Sequence, residues 1–329
     1  MEPVIDNPIL YNILRVLANS DMPLGAKTIT EKLEERGITV KKDTVQHYLR
    51  VLDDMGLTRK IGLAGRVISE KGVEELRKGM LKERIGSFIE QREEYAYQAD
   101  FDPRSGRGLV SLNLGIVDES ELDRALKLIK ECVDSGLAIS PLMKIFDSRT
   151  RVGKIRIPDG KVGIGLVSTS VVDAAFIHDK IYPVPTFAGV LQYMNGEPVR
   201  FIHAISYIGS TLDPIDLLIK SGFCTVRSVV KRGYGTIPAD VREVPAVLRK
   251  KAVETIEKLD MAKIGGTIHV GEANVPALGV PVNNYRVGVV VIAGSTPLAY
   301  LKENGIDVRI HILSAFERYE DLVDIESYL

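Results

Sequence analysis

The chain has no tryptophan, and aromatic residues make up only 6% of its 329 positions. Recognition of single strands by stacking bases on aromatic rings is therefore not its main chemistry. It has two cysteines, Cys132 and Cys224, far apart in sequence. Two such residues make neither a disulfide framework nor a metal motif. No apolar run approaches the roughly 20 residues of a bilayer span, and no charged-then-apolar leader opens the sequence. These absences predict a cytoplasmic chain with no membrane partner. Catalytic signatures are missing too: there is no H-E-x-x-H, Cys-x-x-Cys, Walker loop or nucleophile elbow. An enzyme is not expected, and neither is a cofactor. What remains is 45% hydrophobic and 26% charged, with a formal net charge of −1. That balance suits a soluble globular protein of two or three domains.

Residues 38–69 carry the strongest pattern. Val45, Leu49 and Leu52 fall at i, i+4 and i+7, one apolar stripe of a helix. Lys42, Asp43, Gln46, His47 and Arg50 lie on the opposite face. Gly56 ends this helix, and two short strands follow, around 57–61 and 66–69, joined by a Gly-rich turn. Upstream, Ile9, Leu10, Ile13, Leu14, Val16 and Leu17 make a helical apolar face, broken at Pro23-Leu24-Gly25. Ala26, Ile29 and Leu33 make a second short helix, closed by Gly37. Helix, helix, recognition helix and wing is the winged helix-turn-helix order. From Arg36 to Arg66 seven basic residues stand against three acidic ones, in a chain that is nearly neutral. Double-stranded DNA is the expected partner. Lys42, Thr44, Gln46, His47 and Arg50 would approach bases and phosphates, and Arg59, Lys60 and Arg66 on the wing the flanking backbone. A winged helix used for protein contacts would show the same order with an ordinary solvated face.

The expected fold class is α/β (α+β): a winged helix over 1–80, a linker helix and loop over 81–104, and a regulatory domain over 105–329, large enough for two lobes. A helix over 70–97, with Gly79 and Gly86 as weak points, would bridge the parts. From 109 onward strands and helices alternate, and "FCTVRSVVK" reads as one of the strands. "KVGIGLVSTSVVDAAFIHDK" (161–180) echoes "RVGVVVIAGSTPLAYLKENG" (286–305). Duplication would produce this echo, and so would generic strand–turn–helix chemistry.

Ser168-Thr169, Ser210-Thr211 and Ser295-Thr296 each end an expected strand and open a helix. Hydroxyls there cap helices. With free amides and the positive end of the dipole they also make an anion site, outside the carboxyl ends of the strands. A small anionic metabolite would want a fixed cation as well. Arg227, which interrupts an uncharged run, is the leading candidate, with Lys231 and Arg232 at the end of that run. Each could equally form a plain salt bridge. His203, His269 and His311 sit in apolar strand patterns and read as structural; with His178 they leave a metal-responsive regulator as one alternative. A small-carboxylate enzyme fused to a winged helix is another.

The winged helix together with "VSLNLGIVDESELDRALKLIKE", "KVGIGLVSTSVV", "HAISYIGSTLDP", "SVVKRGYGTIPADVREVP" and "NNYRVGVVVIAGSTP" resembles the NrpR-type nitrogen-regulatory repressors of archaea. The resemblance covers essentially the whole chain and is stronger in 105–329. It implies a winged helix with one regulatory domain that binds 2-oxoglutarate, a signal of nitrogen shortage whose binding releases the operator. It transfers no ligand-contact residues. A homodimer or higher homo-oligomer is expected, because one winged helix reads only a half-site.

Overall fold

The computed structural model describes residues 7–79 and 84–329. The chain divides into two compact units, Met1–Ser87 and Phe88–Leu329.

The first unit is a winged helix. Helix α1 (Pro8–Ala18) starts on a proline, and the Asn7 side chain accepts from the Ile9 N–H at 2.9 Å. Pro is tolerated there because its missing N–H would have no helical partner. Helices α2 (Ala26–Glu34) and α3 (Lys42–Asp54) follow. Ile13, Leu14, Leu17, Ile29, Leu33, Val45, Leu49 and Leu52 are sealed from solvent in the shared core. The wing pairs β1 (Thr58–Ile61) with β2 (Gly65–Ile68), antiparallel. Leu24 and Arg66 exchange two backbone hydrogen bonds of 2.9 Å, an isolated bridge beside the two-stranded wing. Helix α4 (Glu70–Lys78) is capped by Ser69 and stops at Gly79, which has extended backbone angles. The helix expected over 70–97 is therefore broken at Gly79, and its residues 80–83 lie outside the described residues.

The second unit opens with α5 (Ser87–Gln98) and then runs twice through one plan. The first pass is β3 (Leu109–Asp118), a 3-10 turn, α6 (Leu122–Asp134), β4 (Leu142–Phe146), β7 (Lys161–Val167), α7 (Ser170–His178) and β8 (Val184–Met194). A small hairpin, β5 (Arg151–Val152) and β6 (Ile155–Arg156), is inserted before β7. The second pass is β10 (Gly235–Pro245), a 3-10 turn, α10 (Arg249–Met261), β11 (Thr267–Val270), β12 (Arg286–Ile292), α11 (Thr296–Glu303) and β13 (Arg309–Arg318). Between the passes lie β9 (Glu197–Ser206), α8 (Pro214–Lys220) and α9 (Val226–Arg232); β14 (Val323–Asp324) follows the second.

The two five-stranded sheets have the orders β13-β3-β7-β4-β14 and β9-β8-β10-β12-β11. Each pass thus gives its last strand to the other's sheet: β8 pairs with β10, and β13 with β3. The helices are exchanged as well. Helix α7 packs with α10 on the valines of β12, while α11 packs with α6 on Ile164 and Leu166 of β7. Registers match, with Leu112 opposite Val167 in one half and Ala239 opposite Ile292 in the other. The echo between 161–180 and 286–305 therefore coincides with a repeated, strand-exchanged topology.

Two sequence expectations are corrected. Every pairing in both sheets is antiparallel, so the crevice rule for open parallel sheets does not apply. And "FCTVRSVVK" holds helix α9, not a strand. The Glu303 carboxylate accepts from the amides of Val226 (2.9 Å) and Arg227 (2.7 Å), capping the helix from another element, and Gly233 at φ 73° ends it. This tertiary cap overrides the strand preference of the valines.

Candidate functional site

The stripe of α3 is buried at Val45, Leu49 and Leu52, which leaves Lys42, His47 and Arg50 exposed and Thr44 and Gln46 half-buried on the outer side. Arg59 and Lys60 are exposed on β1, and Leu63 at the wing tip is wholly exposed. This surface offers donors to a polyanion from helix and wing of one unit. Arg66 departs from expectation. Its Nε donates to Asp53 Oδ2 at 2.7 Å, and Asp53 also accepts from Thr58 Oγ1 at 2.6 Å. Arg66 braces the wing against α3 rather than facing outward.

In the second unit, the amino ends of α7 and α11 line one tight cleft of about 20 Å³. Ser168, Thr169 and Ser170 come from one half, and Ala293, Gly294 and Ser295 from the other. Exchange of the helices between sheets is what brings these ends together. The turns follow the same local plan: the Ser168 N–H donates to Ser111 O (2.9 Å), and the Ala293 N–H to Pro238 O (3.0 Å). They meet so closely that a Cβ on Gly294 would sit 2.6 Å from Val167 O and 2.9 Å from Asn113 Nδ2. Only glycine fits that approach. Asn113 on β3 and Asp240 on β10 hold equivalent places, and both line the cleft.

Beneath it lies a buried ionic network. Arg92 of α5 donates to Asp173 Oδ2 (3.1 Å), to the Tyr207 hydroxyl (3.1 Å) and to Asp240 Oδ1 (3.4 Å). Arg242 contacts Asp173 Oδ1 (3.2 Å) and Asp240 Oδ2 (3.6 Å) and donates to Thr169 O (3.3 Å). The Tyr207 hydroxyl donates to Asp240. Burial alone would raise the Asp240 carboxyl, but the two guanidiniums beside it outweigh this and hold it below the usual carboxylate range. Asp213 differs: burial, then the Asp240 charge, push its carboxyl up to about 7. Two oxygens at the cleft, Ser295 Oγ and Asp213 Oδ2, are shielded from solvent and have no hydrogen-bond partner among the described residues. Ser295 is 1% exposed. Unpaired buried groups of this kind are what a ligand satisfies.

Of the expected effector residues, Ser168, Thr169 and Ser295 line the cleft, and Thr296 turns its hydroxyl to Ala293 O at 2.7 Å. Ser210 and Thr211 do not line it: Ser210 Oγ donates to Leu212 O in the turn before α8. Arg227, Lys231 and Arg232 are exposed on α9 and lie outside the cleft lining, and Lys231 pairs with Glu131 at 2.8 Å. The cations of the site are Arg92 and Arg242, which the sequence reading passed over. Asp240 and Arg242 inside an apolar strand, and Asp173 inside an apolar helix, were the signal for the network. Arg92, in the charged run "EQREEYAY", gave none.

Among the described residues no group of three or more His, Cys, Asp and Glu side chains could hold a metal ion, and no helix is long and apolar enough to cross a membrane. Both cysteines are buried free thiols, and burial raises both.

Residues 85–324 match the family model described as NrpR regulatory domains NRD1 and 2, and residues 11–76 match the Ribonuclease R winged-helix domain. The chain is similar to the Global nitrogen regulator NrpRI of Methanosarcina mazei, 30% identical over 325 residues, covering 99% of this chain and 100% of that protein. It is 31% and 33% identical to the Global nitrogen regulator NrpR of Methanococcus maripaludis and of Methanocaldococcus jannaschii. It covers 56% and 54% of those two longer proteins, which align to 98% and 95% of this chain. A crystal structure of a nitrogen repressor-like protein from Methanococcus jannaschii is similar at a TM-score of 0.62 and 26% identity, over 73% of this chain and 99% of that one.

Proposed function

The chain belongs to the NrpR regulatory-domain family, and on that premise we propose that it is a transcriptional repressor of nitrogen-assimilation genes, released from its operator by 2-oxoglutarate. Its named relatives are regulators, not enzymes. The winged helix docks in the major groove with Lys42, Thr44, Gln46, His47 and Arg50, while Arg59 and Lys60 hold flanking phosphates. A homodimer on an inverted repeat supplies the second half-site.

The observation that carries the effector reading is the meeting of two helix amino ends at a cleft with unpartnered buried oxygens. 2-Oxoglutarate is a five-carbon chain with a carboxylate at each end. Related turns from the two halves present one positive helix end for each carboxylate. Titration of the purified protein with 2-oxoglutarate in a calorimeter, and of its operator complex by fluorescence anisotropy, tests this. Heat of binding and loss of operator affinity are expected; no heat and an unchanged complex would remove the effector assignment.

A further inference from the structure

Asp213 sits at the cleft with its two oxygens in different situations. Oδ1 accepts from the Ile215 N–H at 2.9 Å and caps α8. Oδ2 is shielded, unpartnered and at the cleft wall. The groups that face this carboxyl are Asp240 of β10, Asp216 of α8 and Arg92 of α5, with Tyr207 just past β9. Among the described residues none donates to Oδ2: Tyr207 gives its proton to Asp240, and Arg92 donates to Asp173, Asp240 and Tyr207, with its Nη2 in the ion pair to Asp173.

Charge counting then constrains the ligand. Arg92 and Arg242 are matched by Asp173 and Asp240. Among the described residues lining the cleft, the side-chain charge left over is that of Asp213. Two helix ends supply about half a positive charge each. A dianion already exceeds their sum of about one positive charge, and an ionised Asp213 would widen that deficit and repel a carboxylate brought within contact. A protonated one instead offers a donor to that carboxylate.

We propose that Asp213 binds the anionic effector as a neutral carboxylic acid, donating from Oδ2 to one ligand carboxylate, so that ligand and proton enter together. The inference rests on the dianionic effector reading given above. The proton comes from solvent, stays on Asp213 while the ligand is bound, and returns when the ligand leaves. The raised carboxyl of the free protein agrees with this, since near neutrality little work is needed to hold the proton. His311 of β13, which faces Asp216, is held below its ordinary value by burial.

The experiment is calorimetry of the full chain with 2-oxoglutarate between pH 6.5 and 8.5, each pH run in phosphate and in Tris. These buffers differ in ionisation heat, so the difference between runs counts protons. About one proton should be taken up per ligand at pH 8.5, and affinity should fall about tenfold per pH unit above the Asp213 midpoint. Asp213→Asn, which keeps a donor and the cap, should bind with affinity that is flat in pH and with no proton uptake; any contribution from His311 would survive in it. Asp213→Ala should bind weakly at every pH. Binding to wild type without proton uptake, or a pH dependence that persists in Asp213→Asn, overturns the proposal and leaves the effector reading standing. Absence of any heat in wild type removes the effector reading and the proposal with it.

Discussion

Arg66 on the second wing strand is locked to Asp53 on the recognition helix by a 2.7 Å ion pair, both side chains being mostly covered. The backbone of Arg66 is also fixed, because its N–H and C=O both bond Leu24. One residue therefore ties wing, recognition helix and the segment before α2 together. Arg66→Ala is expected to lower the stability of the winged-helix unit by about 1 kcal/mol, in the range of a partly covered pair. The salt dependence of operator binding should stay as it is in wild type. A salt slope that falls by about one unit would instead place Arg66 on a phosphate.

Arg50 and His47 lie off the buried stripe of α3, so their loss should spare folding. Arg50→Ala and His47→Ala are expected to weaken specific operator binding, by about 1–3 kcal/mol for a good base contact. Lys60→Ala should weaken binding to all sequences and make the salt slope shallower by about one unit. Fluorescence anisotropy across a salt series reads both effects. Three variants with wild-type affinity would move the docking face elsewhere.

The winged helix was legible because its signals are local. Apolar spacing, Gly37 and Gly56 mark the helices and where two of them end, and the structure follows them. The cleft was half legible. Ser168-Thr169 and Ser295-Thr296 were found because a strand-to-helix turn has a local chemistry. Ser210-Thr211 shows that chemistry without the placement, since only long-range packing decides which turns converge. Arg227 misled because Glu303, distant in sequence, turns its segment into a helix. Arg92 could not be found at all: on an outwardly charged helix nothing local marks its arginine as buried.

These placements decide which variants should lose the ligand. Arg227→Ala and Thr211→Val should leave 2-oxoglutarate binding unchanged, since neither residue lines the cleft. Ser295→Ala should weaken it by about 1 kcal/mol, the worth of one hydrogen bond. Arg92→Ala should act on folding first. It strips a buried partner from Asp173 and Asp240, and such uncompensated charge costs about 3–5 kcal/mol. Thermal melts beside calorimetry separate the two effects. Loss of ligand binding in Arg227→Ala, with a normal melt, would shift the pocket toward α9.

The Asp213 carboxyl gives a stability prediction that needs no ligand. Its midpoint is raised in the folded state, to about 7 from an ordinary value of 3.8. Between those values the native protein holds a proton that the unfolded chain has released. Stability therefore falls as pH rises through this window, because deprotonation favours the unfolded state. Asp213→Asn removes the titration while retaining an equally good helix cap. The variant and wild type should differ by a constant amount below about pH 4. From there to about pH 7 the variant should gain on wild type, by on the order of 3 kcal/mol, and above pH 7 the gap should level off. Urea denaturation at a series of pH values measures this difference directly. A gap that is flat from pH 4 to 8 would mean that Asp213 ionises like an ordinary surface carboxylate, and its Oδ2 would then have to find a donor in solution.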